Sequence, residues 1–407
     1  MTMHSVSEHK MPVVIVNANI AFSLTVIREM GRRKIPVYAI FGNTETSTLR
    51  QYIVSSSRYI RKRIYFSEQD YEKNLLNCLL ETGRTLSRPA VIIPVSDKDM
   101  EIISRNREKL AGYFRMCMPD HATIEKLLNK HQFYRFAKEE GLPISNTFFP
   151  EPEDDLTDII PQLRFPCLIK PTWRQDAWFR KFRTQKVITV NHRDALLRSF
   201  KEAGKAAGNC IIQEIIPGRE DQIYCAFTFL DHSSEPLGMF ICRKIRQYPA
   251  HFGDTSMAES IQQPEVATLT RQICKQLGLK GYISIEFKFD AGDETYKIIE
   301  ITPGRINRQT GISIQSGISI PGIWYDYLTC GNIASQESYQ TNVRWISEFH
   351  ELLSFPAYIK SRQFTLKNWL RSYKNVKGFE IFSRDDLLPF LLLFPVAAVR
   401  FLRNFSK

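Results

Sequence analysis

Two glutamates lie in apolar runs on either side of a polar turn: Ile283-Ser-Ile-Glu286-Phe-Lys-Phe289, then Asp290–Thr295, then Tyr296-Lys-Ile-Ile-Glu300-Ile-Thr-Pro303. Read as a hairpin centred on Asp293, the strands bring Glu286 directly opposite Glu300. Facing carboxylates repel each other, so the pair is reasonable only with a positive charge between them. Mg²⁺ (or Mn²⁺) suits such a site, because a hard cation takes one or two carboxylates and leaves its other positions to water and phosphate oxygens. A register different by one residue would instead turn Glu300 to the other face, beside Lys288 or Lys297.

Cations are available to face this hairpin. Lys170 ends the apolar strand Phe165-Pro-Cys-Leu-Ile-Lys-Pro, where a lone charge needs an anionic partner to offset its desolvation. The following Pro171–Lys186 stretch holds Arg174, Arg180, Lys181, Arg183 and Lys186 against Asp176 alone, with no glycine, and a later strand ends in Arg243-Lys244-Ile-Arg246. Singly, each is a solvated charged face; together with paired carboxylates they suit a metal-bound polyphosphate. The segment from Cys210 to Asp221 offers a polar pair, Gln213-Glu214, an aliphatic wall ending in Ile216 and a Pro-Gly turn. That combination fits an adenine, with Glu220 or Asp221 accepting from ribose hydroxyls.

Three regions must position these groups. In residues 1–120 the runs Pro12–Val16, Pro36–Phe41, Ala90–Pro94 and Arg115–Met118 alternate with helical spacing, including Tyr71–Leu80 and Asp97–Leu110, which predicts a parallel doubly wound sheet. No G-x-G-x-x-G follows the first strand, so a dinucleotide is not expected there. Residues 121–335 read as an α+β unit of mainly antiparallel strands, opened by a helical stretch from Ala122 to Gly141. Residues 336–407 are basic and aromatic-rich and read as a helical appendage. At 407 residues, 43% hydrophobic and 24% charged, the chain is a folded protein of two or three domains. Its 55 Lys+Arg against 43 Asp+Glu favour anionic partners, and its 8 Cys are scattered without a CxxC pair, as in a reduced compartment.

The order of these parts resembles the ATP-grasp superfamily: a helix opening with Lys130, the Leu-Ile-Lys170-Pro strand, Gln-Glu214-x-Ile-Pro-Gly, the Arg243-Lys244 strand, Ile-Glu286-Phe, and Glu300-Ile-Thr-Pro. The likeness covers about residues 12–330 and is nearest to carboxylate–amine ligases associated with polysaccharide biosynthesis. It implies an α/β N-terminal domain before an α+β ATP-grasp domain, and transfer of the ATP γ-phosphoryl to a carboxylate whose acyl phosphate an amine attacks. By this resemblance Lys130, Lys170 and Arg243 hold the phosphates, Gln213, Glu214 and Ile216 the adenine, and Asp221 the ribose. Glu286, Glu300 and Thr302 hold Mg²⁺, with Thr302 standing where the superfamily usually has Asn. Lys244, Arg305 and Arg308 act on the carboxylate or acyl phosphate, since guanidinium gives planar two-point recognition. The Arg/Lys/Trp loop 171–186 replaces the usual glycine-rich flap.

Small-molecule carboxylate and amine substrates are the implied partners. Nucleic acid is not expected, because no helix-turn-helix, zinc finger or RNA-binding aromatic signature is present. A non-catalytic protein binding nucleotide or another polyanion, or an enzyme with a non-amine acceptor, stays open as an alternative. The absence of a signal-peptide pattern predicts a cytoplasmic location. The run Leu387–Val399, broken by Pro389 and Pro395 and followed by Arg400, Arg403 and Lys407, is too short to span a bilayer. It suits either peripheral contact with the inner membrane surface or packing against the ATP-grasp core.

Overall fold

The computed structural model describes residues 10–393 apart from 19–22, 44–47, 152–155, 173–175, 183–184, 332 and 362–363. The first unit is a parallel sheet of order β3-β2-β1-β4-β5. Its strands are β1 (Val13–Val16), β2 (Val37–Asn43), β3 (Ile60–Ser67), β4 (Ala90–Pro94) and β5 (Phe114–Arg115). Helices α1 (Ser23–Arg32), α2 (Thr48–Ser55), α3 (Tyr71–Thr85), α4 (Asp97–Arg105) and α5 (Arg107–Leu110) alternate with them. Every residue of β1 and β4 is buried, as strands covered on both faces require. The last strand lies slightly earlier than the Arg115–Met118 run predicts.

The stretch from Ala122 to Gly141 forms two helices, α6 (His121–Leu128) and α7 (Lys130–Glu139). Asn129 separates them because its side chain accepts from the backbone N–H groups of His131 and Gln132, capping the second. A small antiparallel sheet of order β6-β9-β7-β8 follows. It contains β6 (Thr147–Phe148), β7 (Cys167–Pro171), β8 (Ile188–Val190) and β9 (Cys210–Glu214), with helices α8 (Leu156–Ile159), α9 (Asp176–Phe182) and α10 (Arg193–Ala207) between them.

The large sheet has the order β14-β13-β10-β11-β12-β15-β16. Its first five members are β10 (Ile223–Leu230), β11 (Pro236–Tyr248), β12 (Asp254–Ser260), β13 (Gly281–Asp290) and β14 (Thr295–Pro303), with α11 (Pro264–Gln276) before β13 and α12 (Gly311–Gln315) and α13 (Ile320–Cys330) after β14. One face packs on α7 and α11 through Ala226, Ile241, Ile283, Ile285 and Phe287. The other, with Phe227, Phe240 and Tyr282, shares a core with Trp324 of α13 and with Val13, Leu24 and Val37 of the first unit.

The C-terminal region corrects the expectation of a helical appendage. Besides α14 (Glu348–Lys360), α15 (Leu366–Ser372) and α16 (Leu388–Leu391), it supplies β15 (Arg344–Ile346), antiparallel to β12, and β16 (Val376–Phe379), parallel to β15. These strands are too short to show a period, and they form because the edge of β12 offers unpaired backbone groups. Phe390, Leu392 and Leu393 pack against the main core, whereas Leu387, Leu388 and Leu391 are exposed. The rest of the apolar run, 394–399, lies outside the described residues. No described helix is long and apolar enough to cross a membrane.

Candidate active site

The hairpin register places Glu286 opposite Glu300, but the ladder is not uniform. One step towards the turn, Phe287 pairs with Ile298, so Ile299 is an extra residue in β14 and forms a β-bulge. Continued without the bulge, the turn-side register would set Ile299 against Glu286 and send Glu300 to the opposite face, the arrangement that the one-residue alternative describes. The Tyr134 hydroxyl of α7 donates to the Ile299 carbonyl at 2.7 Å and so fastens the bulge.

The two carboxylates differ in surroundings. Glu286 is partly buried, and its Oε1 accepts from Lys244 Nζ at 2.8 Å, while Cys225 Sγ lies 3.7 Å from Oε2. Burial alone would lower the Lys244 pKa; the Glu286 charge reverses that and holds it above the ordinary value. Glu300 is exposed and makes no ion pair among the described residues. Thr302 is buried on the same face, opposite Ser284, whose hydroxyl accepts from Asn307 Nδ2 at 2.7 Å. No group of three or more His, Cys, Asp or Glu converges among the described residues. Two facing carboxylates with a hydroxyl beside them nevertheless fit Mg²⁺, which draws most of its ligands from water and phosphate.

The small sheet contributes Lys170. It is buried, donates to Gln213 Oε1, and stands 5.6 Å from the Tyr134 ring centroid. Burial first, and the charge of Lys130 second, push its pKa down to about 7 against the pull of Glu300 and Glu286. The nearby Lys130 begins α7, and its backbone N–H donates to the Thr172 carbonyl at 3.0 Å. Gln213 is therefore not a free adenine contact: its Nε2 donates to Thr147 Oγ1 at 2.8 Å while its oxygen holds Lys170.

The neighbouring segment is also partly committed. The Glu214 carbonyl accepts from Ser145 Oγ at 2.8 Å, and its side chain accepts from the Arg164 N–H at 3.0 Å. The Ile216 carbonyl accepts from Lys288 Nζ at 2.7 Å. Between them, the backbone groups of Ile215 take no hydrogen bond among the described residues and leave an open edge within the stretch expected to meet the adenine. Asp221 sits in a turn before β10 and is held by Arg219 at 2.9 Å. Glu220 is tied more deeply, to Tyr358, to Gln247 and to His251 at 2.6 Å.

The structure separates the residues of the basic strand. Lys244 faces Glu286, whereas Arg243 points to the other side of the sheet and pairs with Glu259 at 3.0 Å, so its assignment to the nucleotide is corrected. Alternation along a strand requires this division of consecutive residues. Arg246 is fully buried against Glu351 and 3.9 Å from the Trp369 ring. Arg305 and Arg308 follow β14, but neither is unengaged. Arg305 bonds Asp97 at the start of α4 and Asn307 Oδ1 at 3.0 Å. Arg308 pairs with Glu380 at 2.9 Å and lies 2.8 Å from His350 Nδ1.

Sequence reasoning missed Asp254, which closes this end of the site. Although its side chain is half exposed, surrounding protein partly desolvates the carboxylate; against this, Lys186, Arg308 and Lys244 hold it ionised well below the usual range. Its 2.6 Å contact with Lys186 joins the basic loop to the large sheet. Within that loop Arg174 and Arg183 lie outside the described residues; α9 is anchored by buried Trp178, whose Nε1 donates to the Gln185 carbonyl at 2.8 Å.

No protein-family model matches the chain. It is 23% identical over 238 residues to a D-aspartate ligase of Enterococcus faecium (strain Aus0004), a match that spans 56% of each chain, about half the length of that relative. Among solved structures, it is similar to L-amino acid ligase from Bacillus licheniformis, with a TM-score of 0.58 and 15% identity over 79% of this chain and 74% of the other. The biotin carboxylase domain of Hydrogenobacter thermophilus 2-oxoglutarate carboxylase, solved with MgADP, ADP and bicarbonate, gives a TM-score of 0.61 at 17% identity, over 83% and 74% of the two chains. The chain has the ATP-grasp fold that these structures share.

Proposed function

We propose that the protein is an ATP-dependent carboxylate–amine ligase. A carboxylate oxygen of one substrate attacks the γ-phosphorus of ATP and ADP leaves; the amine nitrogen of the second substrate then attacks the acyl carbon, phosphate leaves and the nitrogen loses a proton. The observation that carries the reading is the cross-strand pair Glu286–Glu300, with Lys244 on one carboxylate and Lys170 buried nearby. Phosphoryl transfer depends mainly on positioning and charge neutralisation, which this set of groups supplies.

Glu286 and Glu300, with Thr302 beside them, would hold Mg²⁺ (or Mn²⁺), and the ion would neutralise phosphate charge. Lys130 and Lys170 would bind phosphate oxygens, and Gln213 would act by orienting the Lys170 ammonium. The Ile215 backbone, between Glu214 and Ile216, is suited to the adenine edge, and Asp221 or Glu220 to the ribose. Arg305 and Arg308 would hold the carboxylate, each oriented by a buried or interdomain acid. The relatives' printed activities, D-aspartate ligase and L-amino acid ligase, support an amine or amino acid acceptor. The Arg-rich loop and the Gly304-Arg305 element support a place in polysaccharide biosynthesis, on the cytoplasmic side of a membrane that the C-terminal region would touch.

The test is ADP release from ATP and Mg²⁺ with pooled amino acids and amino sugars, against the same pool without amines. Amine-dependent ADP release supports the reading. Turnover that needs bicarbonate and no amine would replace it with a carboxylase.

A further inference from the structure

Helix α14 buries one side through Glu351, Ser354 and Tyr358, where Glu351 holds Arg246 and the Tyr358 hydroxyl bonds Glu220. Its opposite side should then be polar. Instead it presents Leu352 (71% exposed), Leu353 (38%), Pro356 and Ala357, followed by Lys360. Helix α15 lies beside it, with Trp369 buried against Phe355, Tyr358 and Phe364. Its outward residues are Leu366 (57%) and Leu370 (61%), interleaved with exposed Lys367 and Arg371.

Charge along this part of the sequence has one sign. Between Leu352 and Gly378 the chain carries six Lys or Arg and no Asp or Glu. Lys374 and Lys377 extend the exposed cationic rim beyond α15. Leucines projecting among cations match an anionic bilayer, which receives apolar side chains below its headgroups and pairs the cations at its surface. A nucleic acid would satisfy the charges and leave the leucines in water.

We propose that the outer face of α14 and α15 docks the protein on an anionic membrane surface. This names the surface for the membrane contact in the functional reading above, and it differs from the 387–393 segment, half of which is packed into the core. Docking does not require that the protein be a ligase.

The experiment is cosedimentation of the full chain with vesicles of phosphatidylglycerol and phosphatidylcholine, compared with phosphatidylcholine alone, at low and at high salt. Binding is expected only with the anionic lipid and is expected to fall with salt. Lys367→Glu with Arg371→Glu should lower partitioning at least about tenfold, and Leu366→Gln with Leu370→Gln several-fold. The Leu352→Gln, Leu353→Gln pair gives an independent second variant should either of these fail to fold. Melting temperature and any ADP release in solution should be unchanged. Absence of vesicle binding by the parent protein, equal binding by all variants, or displacement of the vesicles by an oligonucleotide would each overturn the proposal. A failed ligase assay leaves the vesicle result standing, so the two readings are separable.

Discussion

Lys170→Met tests both the electrostatics of the site and its purpose. The buried ammonium has a pKa of about 7, against about 10.4 in an unfolded chain. Between those values the unfolded state binds more protons than the folded one, so stability rises with pH across this window. The penalty for burying Lys170 is complete below pH 7 and disappears above about 10.4. Converted at 1.36 kcal/mol per pKa unit, it amounts to about 5 kcal/mol at pH 6 and about 2 kcal/mol at pH 9. Methionine removes the penalty but leaves Gln213 Oε1 without its donor, at a cost of about 1–3 kcal/mol. The Met variant should therefore be about 2–4 kcal/mol more stable than the parent at pH 6 and close to it at pH 9. Paired urea melts at the two pH values measure this, because other titrations cancel in the difference. The same variant should bind Mg-ATP at least tenfold more weakly, and the parent should take up a proton on binding at pH 8, seen by calorimetry in buffers of different ionisation enthalpy. A stability difference that is the same at pH 6 and pH 9 would refute a Lys170 that titrates near neutrality.

Glu300→Gln should abolish Mg-dependent ATP turnover with little change in melting temperature, because Glu300 is exposed. Glu286→Gln should abolish it too, and should also destabilise the fold by about 3–5 kcal/mol in denaturant melts, because Lys244 is left buried without its counter-charge. Arg308→Lys should raise the KM for the carboxylate tenfold or more and leave the ATP Kd within about twofold, since an ammonium cannot keep Glu380 and hold a carboxylate in two-point geometry. Asp386→Ala should cost about 3–5 kcal/mol by chemical denaturation, as it strips the partner from buried Arg28.

The strands that carry chemistry were legible where one face is apolar. Ile283, Ile285 and Phe287 alternate with Ser284 and Glu286, and the pairing of the two glutamates follows from them. The doublet Ile298-Ile299 interrupts that alternation and is the visible trace of the bulge. Strand β3 was not legible, because at the sheet edge its Arg61-Lys-Arg segment faces solvent. Strand β12 was missed for the opposite reason: Asp-Thr-Ser-Met-Ala-Glu-Ser is polar yet almost wholly buried, held by partners far along the chain. The same distance hid the roles of Asp97 and Glu380, which reach Arg305 and Arg308 only after the sheets assemble. Taking Arg243 and Lys244 as one cluster ignored the strand period, which assigns them to opposite faces.

The contact between Arg28 and Asp386 joins residues 358 apart, and it is buried at both ends. Asp386 also accepts from Ser57 Oγ at 2.7 Å and from the Arg58 N–H at 3.0 Å, so one late carboxylate satisfies three early groups. At a translation rate of roughly 5–20 residues per second, Arg28 is synthesised about 20–70 s before its partner. Even once β5 has been made, the first unit has its strands and helices but a guanidinium that cannot be sealed in. The nascent protein therefore keeps a hydrated, open flank on α1 until Asp386 arrives, and its earliest unit is completed by a residue 358 positions later.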